Sequence, residues 1–370
     1  MLVEPFAVAF AAADLADLRA RIGRTRWPAP AAGAAWEQGA DAGYLRYVLD
    51  RWARLDWRAR ERELNAHPQF VACVDGVPIH FVHQRAARGR GGVPLLLTHG
   101  WPSSYAELLP LVPLLTDPAA HGIDGPAFDV VIPSLPGYCF SGRPGVCTMR
   151  DTARLWHALM AGLGYRRYGA GGGDIGSGVS TYLALDQPDA VLGLHLSNLE
   201  LDPYLGPGAA PLTPAESAFQ AAVAEWSERE GAYHAVASTR PQTLAYGLHD
   251  SPLALAAWLV DPWWAWSAGE PPLDLLLTTL TLYWVTGTVA PSLRDFRDNA
   301  DLGSVGRTPV PTGFAVFGHG RRDCVPPPRE WVERLYDVRR WTVMPRGGHF
   351  AAAEEPALLA ADIAAFFSAL

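Results

Sequence analysis

Short apolar segments that end in turn residues, "VPLLLTHG", "FDVVIPSL", "RRYGAGG" and "VLGLHLSN", alternate in this chain with stretches of helical spacing. Strands that are apolar throughout belong to a mostly parallel sheet buried on both faces. Helices are expected around Tyr105–Leu115, Thr152–Leu163 and Gly176–Leu185. The rhythm stops from about Leu201 to Asp301, where the chain is helical, aromatic and punctuated by proline, as in "DPWWAWSAGEPP". It resumes with the strand "TGFAVF", the helix "PREWVERLY", the strand Arg340–Met344 and a closing helix, "EEPALLAADIAAFFSAL". In that helix Leu358, Leu359, Ile363, Phe366 and Phe367 can face a sheet. The pattern is an α/β sheet interrupted by a helical insertion and then completed.

Ahead of the sheet, two helical stretches set Leu15, Leu18 and Ile22, then Leu45, Val48 and Leu49, on one side, with Pro28, Pro30 and Gly33 between them. The expected organisation is an N-terminal helical meander over 1–92, a core built from 93–200 and 302–370, and a helical cap over 201–301. With 49% apolar residues, such a core can be large. The net charge is −8, and all 30 basic residues are arginine. An acidic total argues against a general affinity for nucleic acid or anionic membrane. The 4 cysteines, Cys73, Cys139, Cys147 and Cys324, have no metal-ligand spacing and are too few for a disulfide framework. The N-terminus lacks a basic region and no apolar run reaches about eighteen residues, so a soluble cytoplasmic protein without metal or cofactor is expected.

The segment "YGAGGGDIGSGV" joins a strand to a helix through a glycine-packed turn. Gly171, Gly173 and Gly176 spell G-x-G-x-x-G, but a dinucleotide fold places that motif early, with an acid about twenty residues on. Asp174 would also put a carboxylate where the pyrophosphate must sit. An ordinary helix N-cap is the plainer reading of Asp174. Two other segments shift the balance. Gly172 to Gly176 fits the nucleophile-elbow frame with Asp174 in the nucleophile's place, and the glycines permit the strained turn. Upstream, His99-Gly100-Trp101-Pro102 closes a strand where an oxyanion-hole loop belongs, although a plain tight turn also accounts for it. Downstream, "PRGGHF" sets His349 after a strand. The order Asp174, an acid, then His349 is that of an α/β-hydrolase.

Over nearly its whole length the chain resembles the microsomal-type epoxide hydrolases with an N-terminal meander. The resemblance rests on "RTRWP", "LTHGWPSS", "IPSLPGYCFSG", "GGGDIGS", "STRPQTLAYGLHDSP", "LTLYWVTGT" and "MPRGGHFAAAEEP". It implies an α/β-hydrolase fold in which Asp174 attacks an oxirane carbon and forms an ester. His349 then activates water, and the backbone N–H groups of Trp101 and Ile175 form the oxyanion hole. Tyr233 matches the first of two cap tyrosines that meet the oxirane oxygen. The second, thirteen residues after Tyr283, falls on Phe296, which has no proton to donate. Ile175 stands where the family usually has tryptophan, and that also argues against a haloalkane dehalogenase. Asp323, before "CVPPP", matches the triad acid, but "GHGRR" lengthens its approach, and Glu200 or Asp202 are alternatives. His99, Phe296 and Tyr246 are expected near substrate, and Tyr246 and His319 are candidate replacement donors. Trp263, Trp264 and Trp266 are most simply cap core. The expected activity is hydrolysis of a large, hydrophobic epoxide to a vicinal diol, with a homodimer compatible. The alternatives are a repurposed tailoring enzyme of enediyne-type natural-product biosynthesis doing non-hydrolytic acid–base or C–C chemistry, and a non-enzymatic ligand-binding protein.

Overall fold

The computed structural model describes residues 1–29, 32–33, 35–87 and 91–370. Pro30, read above as a separator, lies outside them. The described strands are β1 (Val3–Phe6), β2 (Gln69–Val74), β3 (Val77–Gln84), β4 (Val93–Thr98), β5 (Phe128–Pro133), β6 (Tyr168–Gly172), β7 (Val191–Leu196), β8 (Pro311–Val316) and β9 (Asp337–Val343). They form one sheet in the order β1-β2-β3-β5-β4-β6-β7-β8-β9. The pairs from β5 through β9 are parallel, and β1, β2 and β3 add an antiparallel edge. The apolar strands are buried as expected, with Leu95, Leu96, Val130, Val131, Ala170 and Leu194 all inaccessible. The closing helix Pro356–Ser368 buries Leu359, Ile363, Phe366 and Phe367 against one face, while Leu358 is half-buried.

The segment 1–92 is not helical throughout, and "HFVH", strand-like in the sequence, lies within β3. Helices Ala12–Gly23, Ala42–Ala53 and Trp57–Leu64 are present, but the segment also contributes β1, β2 and β3. β1 is four residues long and pairs with a strand more than sixty residues away, Val3 opposite Ala72. Nothing local marks so short a strand; its partner's open edge decides it.

Six helices, Pro214–Glu230, Ala232–Thr239, Pro241–Asp250, Pro252–Trp266, Leu273–Thr286 and Val289–Asp298, lie between β7 and β8. The N-terminal segment grips them. Trp52 Nε1 donates to Thr281 Oγ1 at 2.9 Å, and Trp36 stacks on Trp264 at 4.1 Å. From the core side, buried Arg143 pairs with Asp295 at 2.5 Å and Asp298 at 2.6 Å. No single helix among the described residues is long and apolar enough to cross a membrane.

One buried network ties the far half of the sheet to the last helix. Asp362 accepts from Arg340 Nε at 2.7 Å and Thr342 Oγ1 at 2.7 Å, and lies 2.9 Å from His195 Nε2. Burial pushes the Asp362 carboxyl up, but these partners outweigh it and hold it down at about 2. A depressed carboxylate contributes stability that is full above its unfolded value of about 3.9 and is lost as pH falls through the folded value. Asp362→Asn is therefore expected to cost about 3–5 kcal/mol at neutral pH, because it strands buried partners. Urea unfolding checks this; a cost under about 1 kcal/mol, as for a surface pair, contradicts it.

Candidate active site

The turn after β6 holds Asp174 at φ 52° and ψ −134°, a strained conformation for a residue with a side chain. Glycine makes this turn feasible. A Cβ at Gly176 would lie 2.0 Å from the Thr98 carbonyl oxygen, and one at Gly100 would lie 2.4 Å from Asp174 itself. Asp174 caps the helix Ile175–Asp186, so the plain N-cap reading describes its local geometry. Its surroundings go further. Asp174 Oδ1 accepts from Trp101 N at 2.9 Å and from Ile175 N at 2.7 Å. Two backbone donors on one oxygen complement a charged carboxylate and the oxyanion that would follow from it.

The other oxygen, Oδ2, lies 3.4 Å from His349 Nε2, and His349 Nδ1 lies 3.5 Å from Asp323 Oδ2. Contacts this long are poised rather than closed, as is common before substrate binds. Burial would lower the pKa of His349, but Asp323 and Asp174 outweigh it and raise it well above the ordinary histidine value. Among the described residues no ion pair joins His349 to Glu200 or Asp202, and Asp323 is the carboxylate placed beside its Nδ1. Its lengthened loop is docked on the cap. Arg321 Nη1 donates to the carbonyls of Trp264 and Gly269, and Arg322 pairs with Asp261 at 3.2 Å and Glu230 at 3.3 Å.

Above the elbow lies a cavity of about 1010 Å³, lined among others by Ile175, Glu200, Tyr233, Phe296, Asp323 and His349. Tyr233 stacks on Trp101, ring centres 5.4 Å apart and planes at 4°. Burial, with the charges of Asp174, Glu200 and Asp323, keeps its phenol protonated well above its ordinary range. Phe296 meets both rings edge-on, at 5.2 Å from Trp101 and 5.9 Å from Tyr233. Trp266 lines the same cavity, 4.9 Å from His349, while Trp263 is buried against Phe350.

Two expected substrate contacts are not there. Both nitrogens of buried His99 are engaged by backbone: Nδ1 with the Gly100 carbonyl at 3.0 Å, and Nε2 accepting from Leu135 N at 3.2 Å. Burial lowers its pKa to about 4, so it is a neutral brace for the oxyanion loop. Tyr246 is 71% exposed on the outer face of the cap. The helical period carried its ring outward, which spacing along the sequence could not reveal. His319 is likewise bound elsewhere, to the Met344 carbonyl at 3.1 Å. Conversely, Glu354 escaped the sequence reading. Its carboxylate accepts from Ala268 N, Gly348 N and Phe350 N and so fixes the His349 loop to the cap. Its position five residues after His349 was the available signal.

The N-terminal part matches the family model "Epoxide hydrolase N terminus" over residues 3–108, and "alpha/beta hydrolase fold" matches 93–230. Epoxide hydrolase 1 of Oryctolagus cuniculus is 34% identical over 98% of this chain and 88% of its own. The chain belongs to the microsomal-type epoxide hydrolase family. A Stigmatella aurantiaca protein provisionally named an epoxide hydrolase is 39% identical over 100% of this chain and 85% of its own. Among solved structures, Aspergillus niger epoxide hydrolase has a TM-score of 0.86 at 31% identity, covering 99% of this chain and 96% of that one. Juvenile hormone epoxide hydrolase from Bombyx mori has a TM-score of 0.88 at 26% identity, covering 99% and 94%. The chain is thus a hydrolase of the α/β-hydrolase fold.

Proposed function

We propose that the protein opens a bulky, mostly apolar epoxide to a vicinal diol through an ester on Asp174. The observation that carries this reading is the division of labour on one carboxylate: Oδ1 rests on two backbone N–H groups, and Oδ2 faces His349 and the cavity. A carboxylate is already ionised near neutral pH and needs no base to attack. Oδ2 attacks the oxirane carbon, and Oδ1 becomes the ester carbonyl, already in its oxyanion site. His349, oriented by Asp323, then takes a proton from water, and the hydroxide adds to the Asp174 carbonyl carbon. Negative charge gathers on Oδ1, where Trp101 N and Ile175 N meet it. A smaller chamber of about 40 Å³, bounded by His99, Glu107, Asp174 and His349, has room for that water. The main cavity lies at the upper end of the range for small-molecule sites, which supports a large substrate.

The test is a single turnover in ¹⁸O water with enzyme in excess over a polycyclic arene epoxide. Label is expected in Asp174 first and reaches the diol only over later turnovers. Conversion with no label in either overturns the reading in favour of non-hydrolytic acid–base chemistry. Asp323→Asn is expected to lower turnover by about four orders of magnitude, the usual effect of losing the orienting carboxylate of a hydrolytic triad. A mild effect there, with a severe block in ester hydrolysis from Glu200→Gln, moves the triad acid to the end of β7.

A further inference from the structure

The ring opening just described makes a further demand. As the C–O bond breaks, its electron pair goes to the oxirane oxygen, and an alkoxide in a cavity needs a proton. Tyr233 can donate a hydrogen bond, and Phe296 cannot. Glu200 lines the same cavity as Asp174 and Tyr233 and is used by no step so far. It lies four residues beyond β7, whose end pairs in parallel with the strand carrying the elbow, Gly172 opposite Leu196. Its side chain packs against the first turn of the elbow helix, where a Cβ placed on Gly178 would meet Glu200 Cγ at 3.2 Å. No hydrogen bond or ion pair to protein engages its carboxyl among the described residues. We propose, on the basis of the epoxide-opening reading, that Glu200 is the general acid that protonates the oxirane oxygen while Asp174 attacks carbon.

The electrostatics suit that role. The Glu200 side chain is exposed, and it opens onto the cavity. Desolvation, then the negative charge of Asp174, raises its pKa well above the carboxylate range, against the opposing pull of His349. A carboxyl whose surroundings favour its protonated form can act as an acid beside a second carboxyl that acts as nucleophile. The titratable groups facing Glu200 are Asp174 from the elbow, His349 from the loop after β9, Asp202 on its own segment, Tyr233 from the cap and Tyr336. Of these, Asp174 changes during the step. Forming the ester consumes its charge, so the charge that holds the proton on Glu200 disappears as the oxygen comes to need that proton. The balance closes. Asp174 carboxylate, epoxide and Glu200 acid become hydroxyalkyl ester and Glu200 carboxylate. Hydrolysis of the ester by water returns Asp174 carboxylate and diol, and releases one proton, which restores Glu200.

Rapid-quench intact-mass measurement with phenanthrene 9,10-oxide separates ester formation from ester hydrolysis across pH. In the wild type, ester formation is expected to fall at alkaline pH as Glu200 loses its proton. Glu200→Gln keeps the shape but cannot transfer a proton. It is expected to slow ester formation about 10²-fold or more, to lose the alkaline fall, and to leave ester hydrolysis unchanged. Glu200→Asp is expected to recover part of the rate and the alkaline fall. Ester formation in Glu200→Gln within about threefold of wild type, a wild-type rate flat through alkaline pH, or a defect confined to ester hydrolysis each overturns the role. Wild-type protein that forms no ester with this or any other epoxide overturns the epoxide-opening reading itself, and this role with it.

Discussion

Asp174→Asn is expected to abolish epoxide turnover while leaving the protein folded. The asparagine carbonyl can still accept from Trp101 N and Ile175 N, so the two hydrogen bonds that hold the elbow survive. Asparagine also tolerates positive φ well, and position 174 sits at 52°. What is lost is the charged oxygen facing His349 and the cavity, and an amide is a very poor nucleophile. Removing the nucleophile of a hydrolytic triad typically costs about a millionfold in kcat. The measurement is turnover of a polycyclic epoxide by protein whose mass shows no deamidation. Activity within about tenfold of wild type contradicts a nucleophilic Asp174. Unchanged circular dichroism separates loss of chemistry from loss of fold.

His349→Gln is expected to split the reaction in two. Ester formation needs Asp174 and an acid, and neither is removed. Hydrolysis needs a base for water, and glutamine is none. The protein should therefore gain the mass of one substrate molecule and keep it, while steady turnover falls by at least about 10⁴. The wild-type pH dependence of the second step follows from the same geometry. Two carboxylates stabilise the His349 imidazolium, so its pKa stands well above the ordinary value. A base must be neutral, so ester hydrolysis rises with pH as that proton leaves. Once Asp174 is esterified, the closer of the two paired charges is gone and Asp323 remains 3.5 Å from His349 Nδ1, so the rise comes at lower pH than the titration of His349 in the free enzyme. Turnover with no persistent adduct in His349→Gln contradicts the two-step scheme.

The strands of the parallel sheet, the elbow and the order of Asp174, an acid and His349 were legible because each depends on local chemistry. A fully buried strand must be apolar along its length. A turn that brings the Thr98 carbonyl within 2.0 Å of a Cβ must place glycine at 176. Such requirements are written at the position that bears them. The helical cap was legible for a related reason, since a long break in strand rhythm leaves few other architectures.

Contacts between distant segments were not legible. The loop "GHGRR" made Asp323 doubtful by its length, and only the docking of Arg321 on the Trp264 and Gly269 carbonyls and of Arg322 on Asp261 carries the carboxylate to His349. Tyr246 and Tyr233 are both cap tyrosines, yet one points to solvent and the other stacks on Trp101. His99, expected near substrate, instead has its ring claimed by two backbone groups, one of them Leu135 N. The sequence by itself determined the class of fold, the turn that lifts Asp174 and the kind of chemistry a carboxylate can do there. The tertiary structure alone decided which carboxylate lies beside His349, which aromatic rings face the cavity, and that Glu200 lines it together with Asp174. The physical reason is range: backbone strain and strand burial act within a few residues, whereas hydrogen bonds and charges act through space between segments well separated in the sequence.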